Sequence, residues 1–215
     1  MTYIEYLCKI IRKIQPGEPI YSKQLSESVK DAFKLNYKDA SAAVAVAMKR
    51  IIENRTIPDL RSYQKGIFYR TTETVFGEKG INKNKLISDK YLANNNGYET
   101  GPALLHRLGL TSQMPKHPVL ATNVARDCMR YDKKLGVAIK VPKIKVTADN
   151  KMYLQILDVL DMMDSAPLDE DQPYSVVANH IKKQNLRYDV LLALADKYYN
   201  QKTVLQLART ASAGA

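Results

Sequence analysis

The sequence predicts an α+β fold, and three observations carry that expectation. Apolar residues recur at three- and four-residue steps over residues 4–52 and again over 152–207. Two short extended runs flank a glycine at position 66, and β-branched runs separated by turn residues occupy the middle of the chain. With 215 residues, 45% of them hydrophobic and 26% charged, the chain has the material for one ordinary domain or two small ones and does not have the composition of a disordered protein.

The elements follow in order. Ile4, Leu7, Ile11 and Ile14, widened by Ile10, predict a first helix that Pro16-Gly17 ends. Ser22 is the expected N-cap of a brief second helix, with Leu25 and Val29 facing inward. Asp39 is the expected cap of a third that runs through Ile52, buries Val44, Ala47, Met48, Ile51 and Ile52, and stops at Asn54. Residues 57–63 and 67–70 are extended segments split by Gln64-Lys65-Gly66, where glycine supplies the positive φ of a short hairpin loop. Three helices and then a hairpin is the order of a winged helix-turn-helix, expected over residues 1–72, where polar residues 71–74 mark its end.

Residues 73–164 read as mixed α/β. A helix is expected over 84–92, a loop at Asn94-Asn95-Asn96-Gly97, and a helix capped by Thr100, with Pro102 early in it and Gly109 as its stop. Strands are expected over 118–122, 128–131 and 137–141. Thr147 is the expected cap of a largely buried helix carrying Met152, Leu154, Ile156, Leu157, Val159, Leu160 and Met163. The acidic, proline-containing residues 165–173 form a hinge before a helical bundle within 165–215, with helices over 174–183, 188–198 and 201–210 and a frayed tail over 211–215.

The formal charge is +11, and its placement matters more than its total. Residues 1–72 hold 13 basic and 7 acidic side chains, residues 73–150 again 13 and 7, and residues 151–215 hold 7 and 8. An anionic partner is therefore expected at the first two thirds. No uncharged run approaches the roughly 18 residues of a membrane helix, so no membrane partner is expected. The opening residues lack the pattern of a secretory signal. Cys8 and Cys128 stand far apart with no CxxC, as in a reducing compartment; the cytoplasm is the expected location, with both thiols in the core.

The usual catalytic patterns are missing. His106, His117 and His180 have no metal-ligand spacing, and the sequence contains no GxSxG, Walker loop or GxGxxG. Neither an enzymatic activity nor a cofactor or metal is expected. Asp158, Asp161 and Asp164 fall three residues apart on one helix, but a solvated acidic face accounts for them better than a divalent-ion site. Pro58-Asp59 lacks the acidic-x-Lys partner of a metal-dependent nuclease.

The basic charge of the first region gains a mechanism from the third helix. Its outer stripe of Lys38, Ser41, Ala45 and Lys49 has small residues that admit close approach to double-stranded DNA and cations at its ends for phosphates. Ser41 is placed for a base edge or phosphate, Ala42 and Ala45 for thymine methyls, and Arg55, Arg61 and Lys65 would arm the hairpin. With no Asn, Gln or Arg at the middle of that helix, sequence reading should be weak and affinity should come from phosphates and dimerisation. The competing reading packs the small-residue stripe against another helix; the chain is expected to be a monomer or a homodimer. A second basic stretch, Arg126, Arg130, Lys133, Lys134, Lys140, Lys143 and Lys145, includes the alternation over 139–145 that would turn lysines to one sheet face. It is either a further nucleic-acid or partner surface or a solvated edge.

The segment Gly97-Tyr98-Glu99-Thr100-Gly101-Pro102-Ala103-Leu104-Leu105-His106-Arg107-Leu108-Gly109-Leu110-Thr111-Ser112-Gln113-Met114-Pro115, followed by Val119-Leu120-Ala121-Thr122-Asn123, resembles the helix, Gly-Leu-Thr, Gln-x-Pro and strand of AbiEi-type antitoxins. Asp59-Leu60-Arg61-Ser62-Tyr63-Gln64-Lys65-Gly66-Ile67-Phe68-Tyr69-Arg70 is similar to the wing that closes their N-terminal winged helix, so the likeness spans roughly residues 1–160. The resemblance implies an abortive-infection antitoxin of a bacterial toxin–antitoxin system for phage defence. Residues 1–72 would bind and repress its own promoter, and residues 73–215 would counteract a nucleotidyltransferase-like toxin, functionally and not necessarily through a stable complex. The alternative is a winged-helix transcription regulator with a ligand-sensing or dimerisation domain and no toxin partner.

Overall fold

The computed structural model describes residues 1–214 and has a mixed α+β fold. It divides into two compact units, Met1–Leu86 and Ile87–Ala215.

In the first unit, α1 (Tyr3–Ile11) starts on a reciprocal cap: Thr2 Oγ1 accepts from Glu5 N–H at 3.2 Å, and Glu5 Oε2 accepts from Thr2 N–H at 2.9 Å. The helix stops before Ile14, because the Arg70 guanidinium donates to the Arg12 and Ile14 carbonyls at 2.9 and 3.1 Å while pairing with Asp59 at 2.7 Å. β1 (Ile20–Tyr21) leads into α2 (Ser22–Phe33). Ser22 is its first helical residue and not its cap; Tyr21 takes the cap position with an extended backbone that pairing to Ile67 holds in place. α3 (Tyr37–Glu53) likewise begins before the expected Asp39. Asn36 is the cap, its Oδ1 accepting from Asp39 N–H at 2.9 Å.

β2 (Leu60–Gln64) and β3 (Ile67–Arg70) form the hairpin, Gly66 has φ +78°, and the three strands run antiparallel in the order β1-β3-β2. Leu7, Ile11, Leu25, Val29, Val44, Met48 and Ile51 fill the core between the helices and this sheet. A second small hairpin, β4 (Glu73–Thr74) and β5 (Gly77–Glu78), carries the unit past residue 72. Arg61–Glu78 at 2.6 Å, Lys79 N–H to Thr72 O at 2.8 Å and Asn82 N–H to Gly17 O at 2.8 Å tie it back, and α4 (Lys83–Ile87) closes the unit.

The second unit is built on β6 (Gly97–Thr100), β7 (Val119–Thr122), β8 (Arg130–Asp132) and β9 (Val137–Lys140), in the order β6-β7-β9-β8 with only β7 and β9 parallel. β6 was not expected, and it takes Thr100 away from the capping role: Thr100 ends the strand, and its hydroxyl donates to Asp158 Oδ2 at 2.7 Å. Gly101, with φ +78°, is the cap residue of α5 (Pro102–Arg107), where a Cβ would stand 2.8 Å from Val119. Thr147 also fails as a cap. It and Asn150 exchange side-chain-to-backbone bonds of 2.8 and 3.3 Å in a turn, and α6 (Lys151–Met163) starts only after that turn.

α7 (Pro173–Lys183), α8 (Tyr188–Tyr198) and α9 (Gln201–Ala213) pack with α6 around Leu157, Leu160, Val177, Ile181, Leu191 and Leu207. α9 runs through most of the expected frayed tail, of which Ala215 lies outside the described residues. Cys8 is buried as expected, whereas Cys128 is exposed. No helix among the described residues is long and apolar enough to cross a membrane.

Candidate nucleic-acid interface

The fold brings α3 and the β2–β3 hairpin together around a groove of about 400 Å³. Ser41, Ala45 and Lys49 line it from α3, Ser62, Lys65 and Gly66 from the hairpin, and Ser22 from the start of α2; Met48, Ile52 and Phe68 form its apolar floor. The hairpin tip is fixed, since Ser22 N–H donates to the Gly66 carbonyl at 2.9 Å. Lys38, Lys49 and Lys65 are exposed. Lys49 stands 3.7 Å from Glu53, but both side chains are more than half exposed, so water and salt screen the pair. The groove thus offers hydroxyls at its walls and ammonium groups at its edges, an arrangement suited to a phosphate backbone lying along α3.

Four of the eight expected DNA-contacting residues line this groove: Ser41, Ala45, Lys49 and Lys65. Lys38 is exposed on the first turn of α3, and Arg55 follows its C-terminal end in the left-handed region with φ +49°. Ala42 lies instead in a concavity shared with α1. Arg61 is engaged elsewhere: its guanidinium donates to the Pro58 carbonyl at 2.7 Å and pairs with Glu78 at 2.6 Å, which makes it a clamp between the two hairpins. Ser22 and Ser62 were missed. Ser62 reaches the groove through its register opposite Phe68, and Ser22 through the β1 pairing, neither of which local periodicity reveals.

The second basic stretch does not form one charged sheet face. β9 ends at Lys140, so the alternation over 139–145 breaks there. Lys140 Nζ lies 2.9 Å from the buried carboxylate of Asp158, and Lys143 sits over the Tyr199 ring at 5.5 Å. Arg126, Arg130, Lys133 and Lys145 are exposed, and Lys145 lines a concavity of about 380 Å³ with Lys143 and Asn123. Lys134 N–H donates to Asp132 Oδ1 at 3.2 Å.

The expected solvated acidic face holds for Asp164, which is exposed, and only in part for half-buried Asp161, while Asp158 is buried. Asp158 is 2% exposed and accepts from Thr100, Tyr199 and Lys140, which joins the sheet to α6 and to the α8–α9 turn. Asp161 accepts from Asn200 and Thr203, each at 2.9 Å, and Asp164 from Gln206, so all three hold the C-terminal segment in place. Burial first, then the Asp158 carboxylate, pushes the Tyr98 and Tyr199 hydroxyls above the ordinary phenol range. Among the described residues, no group of three or more His, Cys, Asp or Glu side chains is arranged to hold a metal ion. The Gly-Leu-Thr segment and the serine after it hold the acidic loop before α7: Asp169 N–H donates to the Leu110 carbonyl at 3.1 Å, and Ser112 N–H and Oγ each donate to the Asp169 carboxylate at 2.6 Å.

No protein-family model matches the chain, and no curated protein matches it in sequence.

Proposed function

We propose that the first unit is a winged-helix module that binds double-stranded DNA through α3 and its hairpin, and that the chain is a promoter-binding antitoxin. One observation carries the DNA reading. The groove between α3 and the hairpin gathers three serines and two lysines around a helix face of small residues, as contact with phosphates and a helix close to the bases requires. The α-β-α-α-β-β order and the three-stranded antiparallel sheet support the winged-helix assignment. Support for the antitoxin assignment comes from the order of segments over residues 59–123 that resembles AbiEi-type antitoxins, and the toxin opposed would be nucleotidyltransferase-like.

Binding of the full chain to its upstream DNA, titrated over salt, tests the first part. Lys49→Ala and Lys65→Ala should each lower the slope of log affinity against log salt by roughly 0.9. An unchanged slope in the double variant removes the assigned surface. Co-expression with the neighbouring gene, read as growth, tests the second part. Rescue from a toxic nucleotidyltransferase supports an antitoxin, and a neighbour that is not toxic supports the regulator without a toxin partner.

A further inference from the structure

The β4–β5 hairpin presents Val75 and Phe76 at its two-residue tip, 97% and 100% exposed, more than any other large apolar side chain among the described residues. The tip is held out by its own bonding. Thr74 Oγ1 donates to the Gly77 carbonyl at 2.7 Å and accepts from Phe76 N–H at 3.2 Å, and the Arg61–Glu78 pair anchors the root. An adjacent valine and phenylalanine left wholly in water forgo the burial that favours such side chains inside a fold, and a pair presented together in this way marks a contact surface.

A matching socket lies on the same unit. An apolar concavity of about 480 Å³ lies between α1 and α3, and a second of about 450 Å³ lies between α1 and Thr56; the two meet at Ile4. Val46 and Tyr3, 52% and 38% exposed, line the first, and Cys8 lies in the second. Lys9, Arg12 and Arg50 line the two concavities and are themselves exposed, and Glu5, the one carboxylate among the lining residues, is engaged in the α1 cap. The hairpin carries carboxylates behind the apolar tip, where Glu73 and Glu78 face each other across it: Glu78 is paired with Arg61, and Glu73 is exposed. The Glu73 carboxylate would repel a DNA backbone, which argues against a base-step wedge, and would be drawn to the cationic rim of the groove. The chain leading into the hairpin passes beside the socket, because Arg70, three residues before Glu73, donates to the carbonyl of Arg12, which follows α1 and lines the second concavity. Plug and socket side by side suit a reciprocal exchange about a two-fold axis.

We propose that the Val75–Phe76 tip of one chain seats in the α1–α3 groove of a second copy, each chain giving and receiving one tip. So small a contact lies well below the roughly 1,200 Å² of stable interfaces, so the dimer is weak and concentration-dependent. The proposal does not depend on DNA binding, although a dimer would present two α3 faces together.

Sedimentation velocity on the full chain tests it, over loadings from about 1 to about 500 μM, the range in which interfaces of this size associate. The chain should pass from monomer to dimer. Val75→Ser with Phe76→Ser should move the midpoint at least roughly tenfold higher. Both positions are wholly exposed, and an unchanged thermal melt at low concentration verifies that the fold is intact. Val46→Glu, which charges the socket, should do the same, and a one-to-one mixture of tip and socket variants should associate more tightly than either alone. A chain that stays monomeric throughout overturns the proposal, as does a dimer that neither variant weakens. A tip variant that self-associates normally but loses DNA affinity overturns it in favour of a DNA wedge.

Discussion

The two units place their lysines and arginines differently. In the first, Lys38, Lys49 and Lys65 stand in solvent at the groove between α3 and the hairpin. In the second, Arg126, Arg130, Lys133 and Lys145 are exposed, but Lys140 closes on buried Asp158, Lys90 on Asp132 at 2.8 Å, and Lys143 lies over Tyr199. Residues 1–86 hold 16 basic and 9 acidic side chains and residues 87–215 hold 17 and 13, so both units carry a basic excess and composition alone gives both the same kind of partner. What separates them is the position of the carboxylates. Asp158 and Asp132 sit where the sheet meets other segments and draw cations inward, whereas near the first groove only the screened Glu53 competes. Formal charge therefore overstates an anion site wherever an acid has already claimed the base, as Asp158 claims Lys140 and Glu78 claims Arg61.

The strongest way to break this comparison is Asp158→Ala. It leaves Lys140, Thr100 and Tyr199 without their shared acceptor and should destabilise the second unit by about 3 to 5 kcal/mol, read by denaturant unfolding with a probe in that unit. Loss of less than about 1 kcal/mol would mean that the hub is not holding sheet and helices together.

Asp132 offers a sharper, pH-dependent test. Burial opposes its ionisation, but hydrogen bonds from Lys90, Tyr91 and the Leu135 N–H outweigh that and lower its pKa to about 2. Because the folded value lies below the unfolded one, its contribution is complete above about pH 4 and is lost as pH falls through about 2. Asp132→Asn should remove that segment of the stability–pH curve and leave the neutral-pH slope alone.

In the first unit, Thr2→Ala should cost about 1 kcal/mol by opening the cap of α1, measured by thermal or denaturant melts, without changing DNA affinity at temperatures well below the transition. The smallest expected effect is the most discriminating. Arg61→Ala should leave the salt slope of DNA binding unchanged, because its guanidinium is held by Glu78 and the Pro58 carbonyl; a drop of roughly 0.9 would return Arg61 to the interface.

Much of the first unit was legible in order and type. The steps of Leu7, Ile11, Val44, Met48 and Ile51 and the positive φ that Gly66 supplies are local signals, and the structure uses all of them. Caps were read less well: strand pairing displaces two of them, with Tyr21 and Thr100 held extended by neighbours in a sheet, while Asn36 and Asn150 take the cap positions expected of Asp39 and Thr147 through local turns. The groove was half legible. Ser41, Ala45 and Lys49 follow from helical spacing, but Ser22 and Ser62 enter it only through β-register.

Periodicity and turn residues by themselves fixed the α+β class, the succession of elements and the core positions of the helices, since these depend on neighbours within a few residues. Which charges are free was decided by tertiary structure alone. Asp158 and Thr100 are 58 positions apart, Tyr199 and Asp158 41, and Glu78 and Arg61 17, so each pairing exists only once the chain has brought distant segments into contact. A buried carboxylate that has lost its water takes the nearest donors available, and no local pattern in the sequence records which donors those will be.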